Sequence, residues 1–207
     1  TAISVSVTGC TQLTNLGASF DGLTISGQFL ISSCAAITDV TLSATSMGHY
    51  HIANCDSLVT LSGFTIPNEV ISSLTIDDNL VLNDVSALDN KLTASTTGII
   101  VITVNDALPS LSSLLATVVS RGYILVQSNA ALLTLSAPLL ETVTAQGGNR
   151  AVDVYNNALM TTINMPKLHS LSHASKGTFY ARTLTDRKSS ARRTSHPGSS
   201  IQYNQRP

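Results

Sequence analysis

The chain has 207 residues, of which 43% are hydrophobic, 11% charged and 4% aromatic, and its formal net charge at pH 7 is −1. Soluble domains usually carry about 25% charged residues, so Ser and Thr, roughly a quarter of this chain, must supply most of its polar surface. This composition excludes a coiled coil, no apolar run reaches the ~18–20 residues of a membrane span, and near-neutral charge gives no general attraction to nucleic acid or anionic lipid.

A repeat of about 24 residues runs along the chain. Each repeat is marked by an anchor residue, which is Cys in the first three repeats and Asn in the next four, and positions are counted from that anchor. The anchors are Cys10, Cys34, Cys55, Asn79, Asn105, Asn129 and Asn157. Positions −5, −3, +3 and +6 are apolar in all seven repeats; around Asn129 they are Ile124, Val126, Leu132 and Leu135. Such regularity predicts equivalent coils stacked on one another.

The first predicted element of each coil is a short strand before the anchor. Positions −5 and −3 point to the same side of a strand and are mostly β-branched, which suits a pleated surface packed on one face. At the anchor we expect a bend, where an Asn amide pairs with turn backbone and with the next Asn, and a Cys acts as a small buried hydrophobe. Four glycines at position −7 predict a corner of positive φ before the strand: Gly27, Gly48, Gly98 and Gly122.

The spacing of three residues after the anchor turns the chain onto a second face, and a looser apolar segment supplies a third. That third segment contains Leu23, Met47, Leu92, Val119, Val143 and Leu171. Three short sides in each coil, stacked in parallel register, predict an all-β fold. We therefore expect a right-handed parallel β-solenoid (β-helix) of about seven coils of ~24 residues, with an irregular basic C-terminal tail.

The stretch from Ile124 to Val143, ILVQSNAALLTLSAPLLETV, resembles the receptor L-domain and related leucine-rich surface proteins, and the next coil repeats it from Val152 to Leu171. Ordinary leucine-rich repeats place the next Leu two residues after the Asn, whereas it stands three after here, which favours the L-domain type. The resemblance covers roughly residues 1–175 and is strongest over 100–172. It implies an extracellular or cell-surface, non-enzymatic protein used for recognition or surface structure, and it carries over no binding residues.

The pattern predicts two parts, a β-solenoid repeat domain over 1–175 and an incomplete coil with a basic, Ser/Arg-rich tail over 176–207. In the incomplete coil Phe179 and Ala181 fit positions −5 and −3, but Leu184 stands where the anchor belongs. The first part has four basic and eleven acidic residues, and the second has seven basic and one acidic. The tail is thus either extended or docked on an acidic surface of its own solenoid or of a neighbouring subunit. Nucleic-acid binding is disfavoured, since Tyr203 is the single aromatic residue after Asp186.

No catalytic, cofactor-binding or metal-binding set is legible, and we expect a protein that is not an enzyme and needs no cofactor. The three Cys lack the short spacing of a zinc site, and His49 and His51 have no carboxylate or Cys at neighbouring outward positions. Glycosidases need two facing carboxylates, but Thr60 separates Asp39 from Asp84 and Leu80 separates Asp56 from Asp106. The outward positions −2 and −4 also lack the uniform Thr array of an ice-binding face.

One outward cluster is apolar where equivalent positions are mostly polar. We predict that Ile99, Val101, Tyr123 and Leu125 form a partner-binding patch, unless a loop or the tail covers them. The expected partner is a protein or a glycan. Copies of the chain itself are the alternative, because open solenoid ends expose strand edges and end-to-end stacking produces extracellular filaments or coats.

Overall fold

The computed structural model describes residues 3–16, 20, 22–43, 46–65, 72–89, 95–96, 98–112, 118–145, 151–173 and 179–182. These residues form strands and one short 3-10 helix, Ser86–Leu88, and no α-helix occurs among them. In chain order the strands are β1 (Val5–Thr8), β2 (Thr24–Ser32), β3 (Leu42–Ser43), β4 (Ser46–Ala53), β5 (Phe64–Thr65), β6 (Ser73–Asp77), β7 (Ser95–Thr96), β8 (Ile100–Thr103), β9 (Ser110–Leu111), β10 (Val118–Ser120), β11 (Ile124–Gln127), β12 (Thr134–Ser136), β13 (Thr142–Ala145), β14 (Val152–Tyr155), β15 (Thr162–Asn164), β16 (Ser170–His173) and β17 (Phe179–Arg182).

All of these strands pair in parallel, each with the equivalent strand of a neighbouring coil. The longest sheet has eight strands in the order β1-β2-β4-β6-β8-β11-β14-β17, and we call it the long sheet. Sheets of four strands (β16-β13-β10-β7) and three strands (β15-β12-β9) form the other sides, with a small pair β3-β5. The register follows the repeat, since Ile100 pairs with Ile124 and Ile124 with Val152. The predicted all-β parallel solenoid is confirmed.

The inward positions of the repeat form one continuous hydrophobic core. Phe29 and Tyr50, both at position −5, stack with their ring centroids 5.7 Å apart. From the second coil to the seventh, the side chains at positions −5 and −3 are buried, whereas Val5 and Val7 of the first coil are only half-buried. The core thus continues through the stack and is less well covered at β1, which pairs with β2 alone among the described strands.

The third side departs from the sequence prediction near its start. Leu23 is exposed, and Ile25, two residues later, is the buried residue of that segment. Val119 and Val143 are buried as expected, and Leu171 is half-buried against the core. Leu92 lies outside the described residues. β2 runs from the third side into the long sheet with a register shift between Ile25 and Gln28, and Ile25, not Leu23, is the residue that pairs with Met47 of the next coil.

The left-handed backbone predicted at position −7 occurs at position −1 instead. All seven residues just before the anchors have φ between 54° and 67°. They are Gly9, Ser33, Asn54, Asp78, Val104, Ser128 and Asn156. The glycines at position −7 are needed for a different reason, close approach between coils: a Cβ on Gly48 would stand 2.6 Å from the carbonyl oxygen of Ser26. A Cβ on Gly122 would overlap the carbonyl oxygen of Gly98.

The chain adds one strand beyond the seven anchored coils. β17 pairs with β14 in the register expected of an incomplete coil, with Phe179 beside Val152 and Ala181 beside Val154. Ala181 is buried, so the incomplete coil contributes this side chain to the core. The basic tail from residue 183 onward lies outside the described residues.

Candidate functional site

The four Asn anchors form a hydrogen-bonded ladder beneath one edge of the long sheet. Each amide oxygen accepts the backbone N–H of the preceding anchor and, where that anchor is Asn, its Nδ2 as well; Oδ1 of Asn129 receives the backbone N–H of Asn105 at 3.0 Å and its Nδ2 at 3.2 Å. Nδ2 of Asn105 also donates to the carbonyls of Thr103 at 2.9 Å and Ile76 at 3.0 Å. All four Asn side chains are fully buried. Buried amides with such complete pairing fix the bend after each strand.

The Cys anchors continue the same pattern with a single atom. The Cys34 thiol donates to the carbonyls of Ser32 at 3.4 Å and Val7 at 3.7 Å, which are the positions that an Asn Nδ2 uses. It also receives the backbone N–H of Cys10, as an Asn oxygen would. Burial raises the pKa of the Cys34 thiol and raises that of Cys55 to about 11. The structure thus brings the seven predicted ladder residues into one column, in which sulfur and amide play the same role.

The predicted partner-binding patch lies on the outward surface of the long sheet, on neighbouring strands. Val101 and Leu125 are direct cross-strand partners, and Ile99 stands beside Tyr123, whose carbonyl accepts the backbone N–H of Ile100 at 2.9 Å. All four side chains are partly exposed rather than fully so. Thr75 borders the patch on one side and Asp153 on the other. We call these four residues the sheet patch.

Polar and aromatic pairs line the next outward position, −2, of the same strands. The Thr103 hydroxyl donates to Asp77 Oδ1 in the adjacent coil, and the Tyr155 hydroxyl donates to Gln127 Oε1 at 2.6 Å. The Tyr155 ring meets that of Tyr180 edge to face, with centroids 6.3 Å apart. Each pair joins two coils, so the border of the sheet patch is held in a fixed arrangement.

The outward His pair and the carboxylates Asp39 and Asp84 lie beside Ser or Thr residues of the adjacent coils. His49 and His51 lie beside Ser73 and Thr75, and Thr60 stands between Asp39 and Asp84. The Thr60 hydroxyl donates to Asp84 Oδ2 at 3.4 Å, and the backbone N–H of Ser86, at 2.9 Å from Oδ1, lowers the pKa of Asp84. In the part of the chain that the structure describes, no three His, Cys, Asp or Glu residues are placed to hold a metal ion.

A second apolar surface, which the repeat pattern did not predict, lies at the corner between the anchors and the second side. Among the described residues, five of the eight large exposed hydrophobic residues lie within four residues after an anchor, and their exposure ranges from 41 to 56%. We call this set the corner strip: Val59, Leu80, Val81, Leu133 and Leu159. The signal lay in positions +1, +2 and +4, whose residue types vary too much between coils to be read as a column.

No protein-family model matches the chain, and neither a curated protein nor a solved structure shows significant similarity to it. Among the described residues there is no helix long and apolar enough to cross a membrane.

Proposed function

We propose that the chain is a non-catalytic, extracellular or cell-surface recognition domain that binds a partner through the sheet patch. The observation that carries this proposal is a cluster of four partly exposed apolar side chains on two adjacent strands of a regular sheet. Isolated apolar residues are common on protein surfaces, but clusters framed by polar residues mark interaction sites. The resemblance of the repeat to the receptor L-domain supports the extracellular, non-enzymatic assignment.

A protein partner fits the sheet patch better than a glycan does. Ile99, Val101 and Leu125 are aliphatic and offer no hydrogen-bonding groups, whereas sugar recognition relies on polar groups beside an aromatic platform. Tyr123 suits both kinds of ligand, since its ring packs while its hydroxyl bonds. The cross-strand pairing also holds the patch rigid, which lowers the entropy lost on binding.

End-to-end assembly into a filament or coat is the second candidate. The observation that favours it is the partly covered first coil, where Val5 and Val7 are half-buried although the equivalent Phe29 and Ile31 are fully buried. A strand of a second copy paired with β1 would cover these side chains. Such a head-to-tail contact propagates into fibres unless it closes into a ring.

Screening the purified chain against panels of secreted ectodomains and of glycans tests the first proposal. Val101→Asp places a charge in the centre of the sheet patch, and Ser6→Asp places the same charge at the equivalent exposed position of the first coil. We expect a binder whose affinity falls at least about tenfold with Val101→Asp, a loss of about 1.4 kcal/mol, and stays unchanged with Ser6→Asp. No binder in either panel, or a binder insensitive to Val101→Asp, refutes the proposal. A glycan binder with the expected sensitivity refutes only the preference for protein.

Two further measurements separate recognition from assembly and from misfolding. Ile102→Asp buries an unpaired charge in the core and should unfold the domain, whereas Val101→Asp should leave its thermal unfolding almost unchanged. Mass in solution as a function of concentration, with electron microscopy of the same sample, reports on filaments. Filaments with strands spaced by about 4.8 Å along the axis would favour assembly, and a monomer at all concentrations would exclude it.

A further inference from the structure

The corner strip has an unusual charge environment for an exposed apolar surface. Its members follow the anchors of the third, fourth, sixth and seventh coils, from Val59 to Leu159, and the fifth coil contributes none of them. Its border is acidic: Asp56 and Asp106 are exposed at position +1, on either side of Leu80, and Asp78 is half-buried at position −1. Positions −1 to +4 of the seven coils contain no Lys or Arg. Positive charge on a ligand of this strip would therefore meet no repulsion there.

Backbone hydrogen bonds join the coils beneath the strip on both sides of Pro109, which has no N–H to donate to the fourth coil. At position +4 the coils are joined by hydrogen bonds, from the N–H of Thr161 to the carbonyl of Leu133 at 2.9 Å and from the N–H of Leu133 to that of Pro109 at 2.9 Å. Asn83 is joined to Val59 in the same way at 3.0 Å. From the third coil to the seventh the strip runs four strand spacings, or about 19 Å.

The chain itself supplies a segment of matching chemistry at one end of this strip. β17 ends at Arg182, one coil beyond Asn157 and at the same edge of the long sheet as the anchors. The residues that follow include Arg187, Lys188, Arg192 and Arg193, with a single acidic residue, Asp186. An extended chain advances about 3.3 Å per residue, so Arg187 and Lys188 come within about 17–20 Å of Arg182. That distance spans three to four coils, which is where Asp106 and Asp78 stand.

We propose that the basic segment 183–207 docks on the corner strip of its own chain. Leu184 and Ala191 would cover apolar side chains of the strip, while the Arg and Lys residues pair with Asp106, Asp78 and Asp56. A second copy is a poorer occupant through its own strip, since two acidic borders would face each other. Pairs between exposed charges contribute little one by one, so the apolar contact and the direct connection to β17, which makes the encounter intramolecular, provide much of the affinity.

Limited trypsin digestion of the full chain tests the proposal, with mass spectrometry used to time cleavage after Arg187, Lys188, Arg192 and Arg193. Docked segments are cleaved from their released state, so the rate follows the released population. We expect slower cleavage in the chain than in a synthetic peptide of residues 183–207. Leu80→Ser combined with Asp106→Asn should accelerate cleavage at least about fivefold. Leu139→Ser, which changes an exposed Leu outside the corner strip, is the matched control and should have no effect.

The other outcomes overturn the proposal. If the chain and the peptide are cleaved at equal rates, the segment is not docked. If the chain is protected but the double variant remains as protected as the control, the segment docks elsewhere. Protection that increases with protein concentration would show that the segment comes from a second copy. None of these results depends on the sheet patch, so the proposed function is tested separately.

Discussion

Asn129 accepts both the backbone N–H and the side-chain Nδ2 of Asn105 on one oxygen, at 3.0 and 3.2 Å. The same relationship links Asn79 to Asn105 and Asn129 to Asn157, while Cys55 offers only its backbone N–H to Asn79. The amides therefore form a polarised column, in which the oxygen of each Asn side chain accepts the backbone N–H of the anchor in the preceding coil. Removing one Asn side chain leaves the backbone N–H of the preceding anchor without its acceptor, and the loss of stability can be measured.

Asn105→Ala should destabilise the domain by about 3 kcal/mol, because it leaves the backbone N–H of Asn79 buried without its acceptor and removes one donor from each of the carbonyls of Ile76 and Thr103. Urea unfolding followed by circular dichroism measures the change. Asn105→Cys should lower the free energy of unfolding by roughly half as much, since a thiol can act as both donor and acceptor, as it does at Cys34. Asn83→Ala, at an exposed position of the preceding coil, should change stability by less than about 0.5 kcal/mol. A similar loss in all three variants would contradict the ladder's role.

The Cys anchors predict a sensitivity to alkaline pH. Burial raises the pKa of Cys55 from its ordinary value of 9.0 to about 11, so the unfolded chain gives up this proton at a lower pH than the folded one. The folded state therefore has its full stability below pH 9, where Cys55 is neutral in both states. As the pH rises from 9 toward 11, the free energy of unfolding should fall by roughly 1 kcal/mol once solvent screening is allowed for.

Cys55→Asn tests that account, because it removes the titrating thiol and extends the amide ladder by one coil. We expect the variant to be at least as stable as the parent at pH 7 and to lose less stability between pH 9 and 11. Urea unfolding of both proteins at the two ends of this range gives the comparison. Equal losses in parent and variant would place the alkaline sensitivity at other groups, such as Tyr50, whose pKa burial also raises.

Val104 is the least suitable residue at its position. Its φ is 55°, a left-handed conformation that strains a β-branched side chain. Asn54 has the same φ at the equivalent place two coils earlier, where a short polar side chain tolerates it. Val104→Asn should therefore stabilise the domain by about 1 kcal/mol, and the reciprocal Asn54→Val should destabilise it by a similar amount. Thermal unfolding of the two variants decides the matter, and a loss of stability with Val104→Asn would show that apolar contact of Val104 outweighs strain.

The parts of this fold that could be predicted are those in which one residue type recurs for one reason. Inward residues such as Ile102 and Val126 must be apolar in every coil, so their spacing gave the strands, the register and the parallel stacking. The residue before the anchor needs a backbone conformation rather than a side-chain type. Gly9, Ser33 and Val104 all adopt it, and no pattern marks that position. The same holds for the corner strip, where Val59 and Leu133 share position +4 with Thr14 and Asn83.

This solenoid needs glycine for two reasons, close contact between coils and a left-handed backbone, and Gly122 represents the first of them. A Cβ there would overlap the carbonyl oxygen of Gly98 in the adjacent coil, so Gly122→Ala should force the coils apart and cost at least about 3 kcal/mol. Gly9 is the matched control, because its φ is +67° but an added Cβ would meet nothing within 4 Å. Gly9→Ala should therefore cost only the conformational penalty, about 1 kcal/mol.

Thermal unfolding of both variants, with soluble yield as a second readout in case Gly122→Ala does not fold, measures this difference. A larger loss from Gly9→Ala than from Gly122→Ala would mean that backbone conformation limits the fold more than contact between coils. The expected order would instead show that the glycines at position −7 serve the stacking of coils. Substitutions at Gly98, where a Cβ would meet the carbonyl oxygen of Ser72, should then follow Gly122→Ala.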